Sequence, residues 1–229
     1  MPKKVVLSLS GGMDSTTLLA YLLDRGYGVH PFTFIYGSKH NPHELTAVGD
    51  ILAHYDIPGP AVIDLQNAFH HIQSNLMASG GEIPEGHYND SNMSKTVVPG
   101  RNSIFITILA GIAESIGAEA VALAVHGGDH HIYPDCRPLF FTAMDQVVRL
   151  SSEDRVHLLT PFMYDNKTKI IATGLPMGVP YGLTRTCYKD QPVACGRCGS
   201  CQERLSAFAD NGIPDPIEYE SRSLIGEDE

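Results

Sequence analysis

The 229-residue chain has no run approaching the ~20 consecutive apolar residues that a membrane-spanning helix needs. Its start, Met1-Pro2-Lys3-Lys4 leading straight into Val5-Val6-Leu7, lacks the regions of a secretory leader. From both, a cytoplasmic protein with no membrane partner is expected. Positive charge is scarce: 16 Lys and Arg face 26 Asp and Glu, a formal net charge of −10. So acidic a chain repels nucleic-acid phosphates, which argues against DNA or RNA as a partner, although a local basic pocket is compatible with it. There is no internal repeat. Cysteine is scarce as well, and four of the five residues crowd between Cys187 and Cys201. In a reducing compartment such crowding points to a metal, not to disulfides.

What is present is an ordinary globular balance, 43% hydrophobic and 18% charged, at a length that suits one domain with a small appendage. Lys4–Leu9 reads as a buried first strand, followed by a Gly/Ser loop and a helix from Asp14 to Arg25 closed by Gly26. Strands follow at Gly28–Ile35, Ala61–Leu65, Glu119–Val125 and Arg155–Leu159. Helices are expected from Asn41 (an N-cap, with Pro42 at the first helical position) to Tyr55, from Asn102 to Ile116 and from Pro138 to Leu150. The alternation predicts an α/β fold: a doubly wound, five-stranded parallel sheet covered on both faces. Ser79–Gly100, rich in Gly, Asn, Pro and Ser, reads as a long loop, of a length often found in lids or binding segments. A nucleotide-binding domain over residues 1–175 would then be followed by a four-cysteine segment and tail over 176–229. Within it a last helix spans Ser200–Ala209, and the Pro- and acid-rich tail after Asn211 is expected to fray.

Ser8-Leu9-Ser10-Gly11-Gly12-Met13-Asp14-Ser15-Thr16 lies between the first strand and the first helix. Its glycines allow a tight turn and close approach to a ligand. The free N–H groups at the helix start face an anion, aided by the helix dipole. Ser10, Ser15 and Thr16 add hydroxyls, and Asp14 can hold a Mg2+ ion bound to the same phosphates. A plain capped turn would need no such combination. The loop is not of the Walker A type, since no Gly-Lys-Ser/Thr follows.

Cys187, Cys195, Cys198 and Cys201 suit a closed, tetrahedral structural zinc site, with Gly196 and Gly199 turning the chain around the ion. Four-thiolate iron–sulfur ligation is compatible with the spacing alone, although the ferredoxin run is absent. A redox dithiol would leave two of the four unexplained. Cys136 stands apart, an unliganded thiol in a pocket wall.

Loops beyond the carboxyl ends of parallel strands line the ligand crevice. Tyr36-Gly37-Ser38-Lys39-His40 occupies such a position, as does the stretch from Asp129 through Tyr133-Pro134-Asp135-Cys136-Arg137. Val98-Pro99-Gly100-Arg101-Asn102 reads on its own as a turn with Asn102 as a cap and Arg101 solvated; its place near a helix N-terminus also lets Arg101 grip a carboxylate or phosphate. Asp135 or Asp129 can accept from the N–H edge of a purine-like ring, and Lys167 can reach a phosphate. The pairs His70-His71 and His130-His131 are given no role.

In this order these motifs resemble the QueC family, within the PP-loop ATP pyrophosphatases, from Val5 to Ala209. The resemblance implies ATP-dependent conversion of 7-carboxy-7-deazaguanine and ammonia to 7-cyano-7-deazaguanine through an acyl adenylate and an amide, on the route to queuosine. It implies ATP bound at Ser8–Thr16, catalysis by Asp14, Arg101 and Lys167, and substrate contacts from Tyr36, His40, Arg101, Asn102, Asp129, Tyr133, Asp135 and Arg137. A structural zinc and a homodimer belong to the same picture. One stretch departs from it: His126-Gly127-Gly128 precedes Asp129 where the family pattern ends in an acidic and a hydroxyl residue. A ligase that stops at the amide, or joins the deazaguanine to a protein amine, is therefore an alternative. A zinc-stabilised nucleotide-binding module without activity is the non-enzyme alternative.

Overall fold

The computed structural model describes residues 2–86 and 91–224; a part of the long loop and the acidic chain end fall outside them. The strands are β1 Lys4–Ser8, β2 Gly28–Ile35, β3 Ala61–Asp64, β4 Ala120–Ala122 and β5 His157–Leu159. They form one sheet in the order β3-β2-β1-β4-β5. All pairings are parallel, with Lys4 opposite Gly28 on one side of β1 and Val5 opposite Ala120 on the other. The helices are α1 Met13–Asp24, α2 Asn41–His54, the single turn α3 Gln66–Phe69, α4 Arg101–Ile116, α5 Pro138–Ser151, α6 Lys167–Gly174 and α7 Gly199–Asp210.

The continuous apolar run of β1 suits a strand buried on both faces. Val6 packs with Ile106, Leu109 and Ala113 of α4 and with Phe141 and Val148 of α5. Val5 and Leu7 pack on the opposite face with Leu18, Leu19 and Leu22 of α1 and Val48, Ile51 and Leu52 of α2. The sheet is thus doubly wound. A third cluster joins Met13 and Ala20 of α1 to Ile171 of α6 and to Ala207 and Phe208 of α7, so the cysteine-bearing helix shares a core with the first helix.

Two expectations change, at the fourth strand and in the tail, and a third feature bears on the membrane reading. β4 pairs over three residues only: the Leu123 N–H still donates to the Leu159 carbonyl at 3.1 Å, but Leu123, Ala124 and Val125 line a cavity beyond the paired residues. The stretch Met93–Ile116 is long and apolar enough to cross a membrane by length and composition. It breaks between Thr96 and Arg101, however, and α4 buries Phe105, Ile106, Leu109 and Ala113 in the core. The tail after Asn211 does not fray through residue 220: Tyr219 bridges Ala194, the Glu220 N–H donates to the Ala194 carbonyl at 2.8 Å, and Asp215 is buried beneath α7.

Candidate active site and metal centre

β1 lies between β2 and β4, whose connections leave in opposite directions, so a crevice opens beyond its carboxyl end. The loop from Ser8 to Thr16 turns there. Gly11 has φ +77°, and a Cβ would lie 2.9 Å from the Glu44 carbonyl oxygen and 3.0 Å from Ala47 Cβ. Glycine is therefore required twice, by backbone conformation and by the approach of α2. Gly12 caps α1 without a side-chain hydrogen bond to the helix, which leaves first-turn N–H groups for an anion. The Ser10 and Ser15 hydroxyls lie 3.2 Å apart, and the Thr16 hydroxyl donates to the Gly12 carbonyl at 2.8 Å. Ser8, Leu9, Ser10, Gly12, Asp14 and Ser15 line a cavity of about 220 Å³. Gly11 packs instead on α2, and Met13 and Thr16 are fully buried.

Four further charged or titratable groups gather at Asp14. Lys167 begins α6, where the Asn166 side chain caps the helix by accepting from the Lys169 N–H at 2.9 Å. Its ammonium is ion-paired with Glu203 of α7 and stands 3.9 Å from Asp14 Oδ2. Burial opposes the Lys167 charge, but Glu203, Asp14 and Asp129 outweigh it and hold its pKa above the ordinary value. His126 Nδ1 accepts from the Gly128 N–H at 3.2 Å, so its proton sits on Nε2. That nitrogen lies 3.5 Å from Asp129 Oδ2 and 3.8 Å from Asp14 Oδ2. Asp14 Oδ1 is buried and has no hydrogen-bond partner among the described residues. An orphaned carboxylate oxygen beside uncapped helix amides fits a divalent cation carried on phosphates.

A second group shares the cavity. Arg101 opens α4 after Gly100, whose φ is +70°. Asp135 Oδ2 accepts the Asn102 N–H at 3.0 Å, while the Asn102 side chain donates to the Asp135 carbonyl at 2.9 Å and to Cys136 Sγ at 3.3 Å. Those bonds stitch the helix start to the loop after β4. Burial opposes the Arg101 charge too, and Tyr36, Cys136, Asp135 and Tyr188 sustain it. On α2, Asn41 accepts the Tyr36 and Ser38 N–H groups at 3.0 and 3.2 Å and donates to Glu44 Oε2 at 3.1 Å. His40 Nε2 lies 3.4 Å from the Tyr36 hydroxyl and 3.6 Å from Glu44 Oε1. Burial pushes the Glu44 carboxyl up to about 8, although Arg101 and the Asn41 bond pull it down. Burial, with Arg101 and Arg185, pushes His40 down to about 3.

The cavity wall thus includes Tyr36, His40, Arg101, Asn102, Asp129 and Lys167. Tyr133, Asp135 and Arg137 are not part of it. The Tyr133 hydroxyl bonds to the Thr96 hydroxyl at 2.8 Å, the Asp135 carboxylate holds the start of α4, and Arg137 donates outward to the His130 carbonyl at 2.9 Å. Sequence reasoning missed Glu44, His126, Arg185, Tyr188 and Glu203. Glu44 follows His40 by one helical turn and His126 lies just beyond the carboxyl end of the fourth strand, so both carried a positional signal. Glu203 carried none, being 36 residues from its partner Lys167.

Cys187, Cys195, Cys198 and Cys201 are buried, with all four sulfurs within 4.8 Å of one another. Cys195 and Cys201 sulfurs are 3.9 Å apart, close to the ~3.8 Å that ~2.3 Å bonds to a tetrahedral ion impose. The N–H groups of Arg197 and Cys198 donate to Cys195 Sγ at 3.4 and 3.3 Å, around Gly196 at φ +73°. Hydrogen bonds from the Cys187, Cys198 and Cys201 thiols pull the Cys195 thiol well below its ordinary pKa. The cluster can hold a metal ion. It also borders the cavity: the Arg185 N–H, two residues before Cys187, donates to the Gly11 carbonyl at 2.8 Å.

Fold and loop together define a nucleotide-binding α/β protein of the PP-loop type. The U34-tRNA thiolase NcsA from Methanococcus maripaludis shares the architecture, with a TM-score of 0.50 and 13% identity over 90% of this chain and 64% of that one. Residues 4–212 match the family described as Queuosine biosynthesis protein QueC. The chain is 46% identical to a 7-cyano-7-deazaguanine synthase of Marinobacter nauticus over 220 residues, 96% of this chain and 99% of that one. It is 42% identical to the 7-cyano-7-deazaguanine synthase of Alteromonas mediterranea, covering 96% and 100%. The chain belongs to the QueC family.

Proposed function

We propose that this enzyme converts 7-carboxy-7-deazaguanine and ammonia to 7-cyano-7-deazaguanine at the cost of two ATP. The carboxylate attacks the α-phosphorus of ATP and releases pyrophosphate; ammonia displaces AMP to give the amide. The amide oxygen is adenylated in turn, and loss of AMP and two protons leaves the nitrile. The observation that carries the reading is one cavity whose wall contains both the Asp14–Lys167 cluster and the Arg101–Glu44 cluster. Asp14 would hold Mg2+ on the phosphates, Lys167 would bind a phosphate oxygen, and Arg101 would grip the carboxylate bidentately. Glu44, not Asp135, would accept from the ring N–H and amino group, since Glu44 lines the cavity while Asp135 caps α4. Zinc is the metal that four clustered thiolates at this separation suit, in a structural role.

A homodimer is part of the same reading. Leu139, Val147 and Leu150 are 81%, 53% and 83% exposed, and their spacing puts them on one face of α5. Incubation with 7-carboxy-7-deazaguanine, ammonia, Mg2+ and labelled ATP tests the function. Nitrile by mass spectrometry, with AMP and pyrophosphate, is expected; ADP as the sole nucleotide product would overturn it. An amide that accumulates with ATP and ammonia in excess would transfer the reading to an amide-forming ligase.

A further inference from the structure

The His126-Gly127-Gly128 stretch has a physical explanation that runs through helix α7. Gly128 is not held in a left-handed conformation, so its backbone does not demand glycine. The space around it matters instead: a Cβ there would lie 2.6 Å from Glu203 Oε1 and 3.1 Å from the His126 ring, so the Glu203 carboxylate would have to move aside. Gly128 therefore admits the Glu203 carboxylate to a position where it pairs with Lys167. The lysine ammonium, on a flexible four-carbon stem, has a second carboxylate within reach, Asp14 Oδ2 at 3.9 Å. Without Glu203 the carboxylates left to balance that buried cation are Asp14, at 3.9 Å, and Asp129, and a shift of the ammonium onto Asp14 becomes open. Lys167 would then neutralise the group whose Oδ1 stands buried and unbonded among the described residues.

We propose that Glu203 is a positioning residue that holds Lys167 off Asp14, leaving the Asp14 carboxylate available to a divalent cation, and that position 128 is glycine to let Glu203 in. The proposal rests on the reading of Asp14 and Lys167 given under the proposed function. Because Glu203 follows the cysteine ligand set by two residues on α7, it also ties the metal-centre helix to the phosphate centre.

The test measures Mn2+ binding by electron paramagnetic resonance in the presence of a non-hydrolysable ATP analogue, alongside the Mg2+ dependence of pyrophosphate release. Glu203→Ala and Gly128→Ala are each expected to weaken Mn2+ binding by roughly tenfold or more, the usual consequence of losing a group that orients a ligand. Glu203→Gln, which keeps an acceptor but no charge, should fall between them and the unaltered protein. Of the two contacts an alanine at 128 would make, the Glu203 carboxylate at 2.6 Å must move, whereas the His126 ring at 3.1 Å need give by only a few tenths of an ångström, so the double variant Gly128→Ala/Glu203→Ala should bind Mn2+ little worse than Glu203→Ala alone. A purely structural role would lower the melting temperature and leave Mn2+ affinity unchanged. Unchanged Mn2+ affinity in the folded variants, or losses that multiply in the double variant, would overturn the proposal. Should Glu203→Ala fail to fold, Gly128→Ala and Glu203→Gln decide by the same measurement. A protein that binds Mn2+-nucleotide as expected but never forms AMP with 7-carboxy-7-deazaguanine would instead overturn the proposed function.

Discussion

Arg204 places all five of its N–H donors, two of them on Asp215. Nε and Nη2 donate to the two Asp215 oxygens at 2.7 and 2.9 Å, Nη2 also reaches the Tyr181 carbonyl at 3.0 Å, and Nη1 takes the Thr184 and Thr186 hydroxyls at 2.6 and 3.0 Å. Neither side chain is exposed. Desolvating both charges is costly, and only this complete set of partners makes the pair tolerable. The pair joins α7, the segment leading to Cys187 and the tail. Asp215→Ala leaves the guanidinium buried without its counter-charge and should lower the unfolding free energy by about 3–5 kcal/mol in denaturant titrations. Arg204→Lys should not rescue the fold, since an ammonium has three donors and no planar fork. A change below about 1 kcal/mol in Asp215→Ala would show that the tail is not anchored here.

The cysteine cluster predicts a metal requirement for folding. Elemental analysis of protein purified under reducing conditions should find roughly one zinc per chain. Binding to four thiolates can contribute on the order of 10 kcal/mol, comparable to the whole net stability of a domain, so a strong chelator should unfold the C-terminal segment. The Arg185–Gly11 hydrogen bond should be lost with it, loosening the phosphate loop from outside the loop itself. Cys187→Ser should yield poorly soluble protein. Iron with stoichiometric sulfide, or full activity without metal, would contradict this.

The sheet, the phosphate loop and the four cysteines were legible because each is written in contiguous residues. β1 is an apolar run, Gly11-Gly12 sits at its end, and three cysteines recur at intervals of three. The tail was misread because its composition is that of a loose end, while its order depends on partners outside it, Arg204 buried in α7 and Ala194 before the last three cysteines. Glu203 was invisible for a similar reason: its partner lies on another helix, and the only trace it leaves elsewhere is a glycine at position 128. Asp135 was read as a ligand-facing acid because it follows β4. In space its carboxylate turns toward the N–H of Asn102, which the sequence places 33 residues away.

Glu44 predicts a pH signature. Burial raises its folded pKa to about 8 from an ordinary 4.5. The folded state therefore prefers the neutral acid: this contribution to stability is fully present below pH 4.5 and is lost as pH rises towards 8. His40 acts in the opposite sense, its pKa falling to about 3 from 6.5, so that stability is lost as pH drops below 6.5. Glu44→Gln should remove the alkaline loss and leave the acid one, by melting temperature across pH 4 to 9 at roughly unit intervals. If Glu44 meets the substrate's ring N–H and amino donors as a carboxylate, binding near neutral pH releases a proton. Calorimetry in buffers of different ionisation enthalpy should detect it, and Glu44→Gln should abolish it while sparing ATP binding. Equal proton release in the variant would remove Glu44 from the substrate site.

Arg101 and Asp135 should fail in different ways, although they are two ends of one arrangement. Arg101 lines the cavity, where on the proposed reaction negative charge would shift during carboxylate activation. Arg101→Ala should cut single-turnover adenylation by roughly 10²–10³-fold, the scale of losing a preorganised donor to developing charge. Arg101→Lys should recover little, because a point charge cannot hold a carboxylate bidentately. Asp135 works one step behind, holding the Asn102 N–H and thereby the angle at which α4 begins. Asp135→Asn keeps an acceptor oxygen and should bind substrate almost normally. Asp135→Ala removes the cap, at a cost of ~1 kcal/mol in stability, and lets Arg101 drift. The informative comparison is Asp135→Asn against Asp135→Ala in substrate binding by calorimetry. Strong loss in Asp135→Asn, with the fold intact, would restore Asp135 to direct contact with the deazaguanine edge and displace Glu44 from that role.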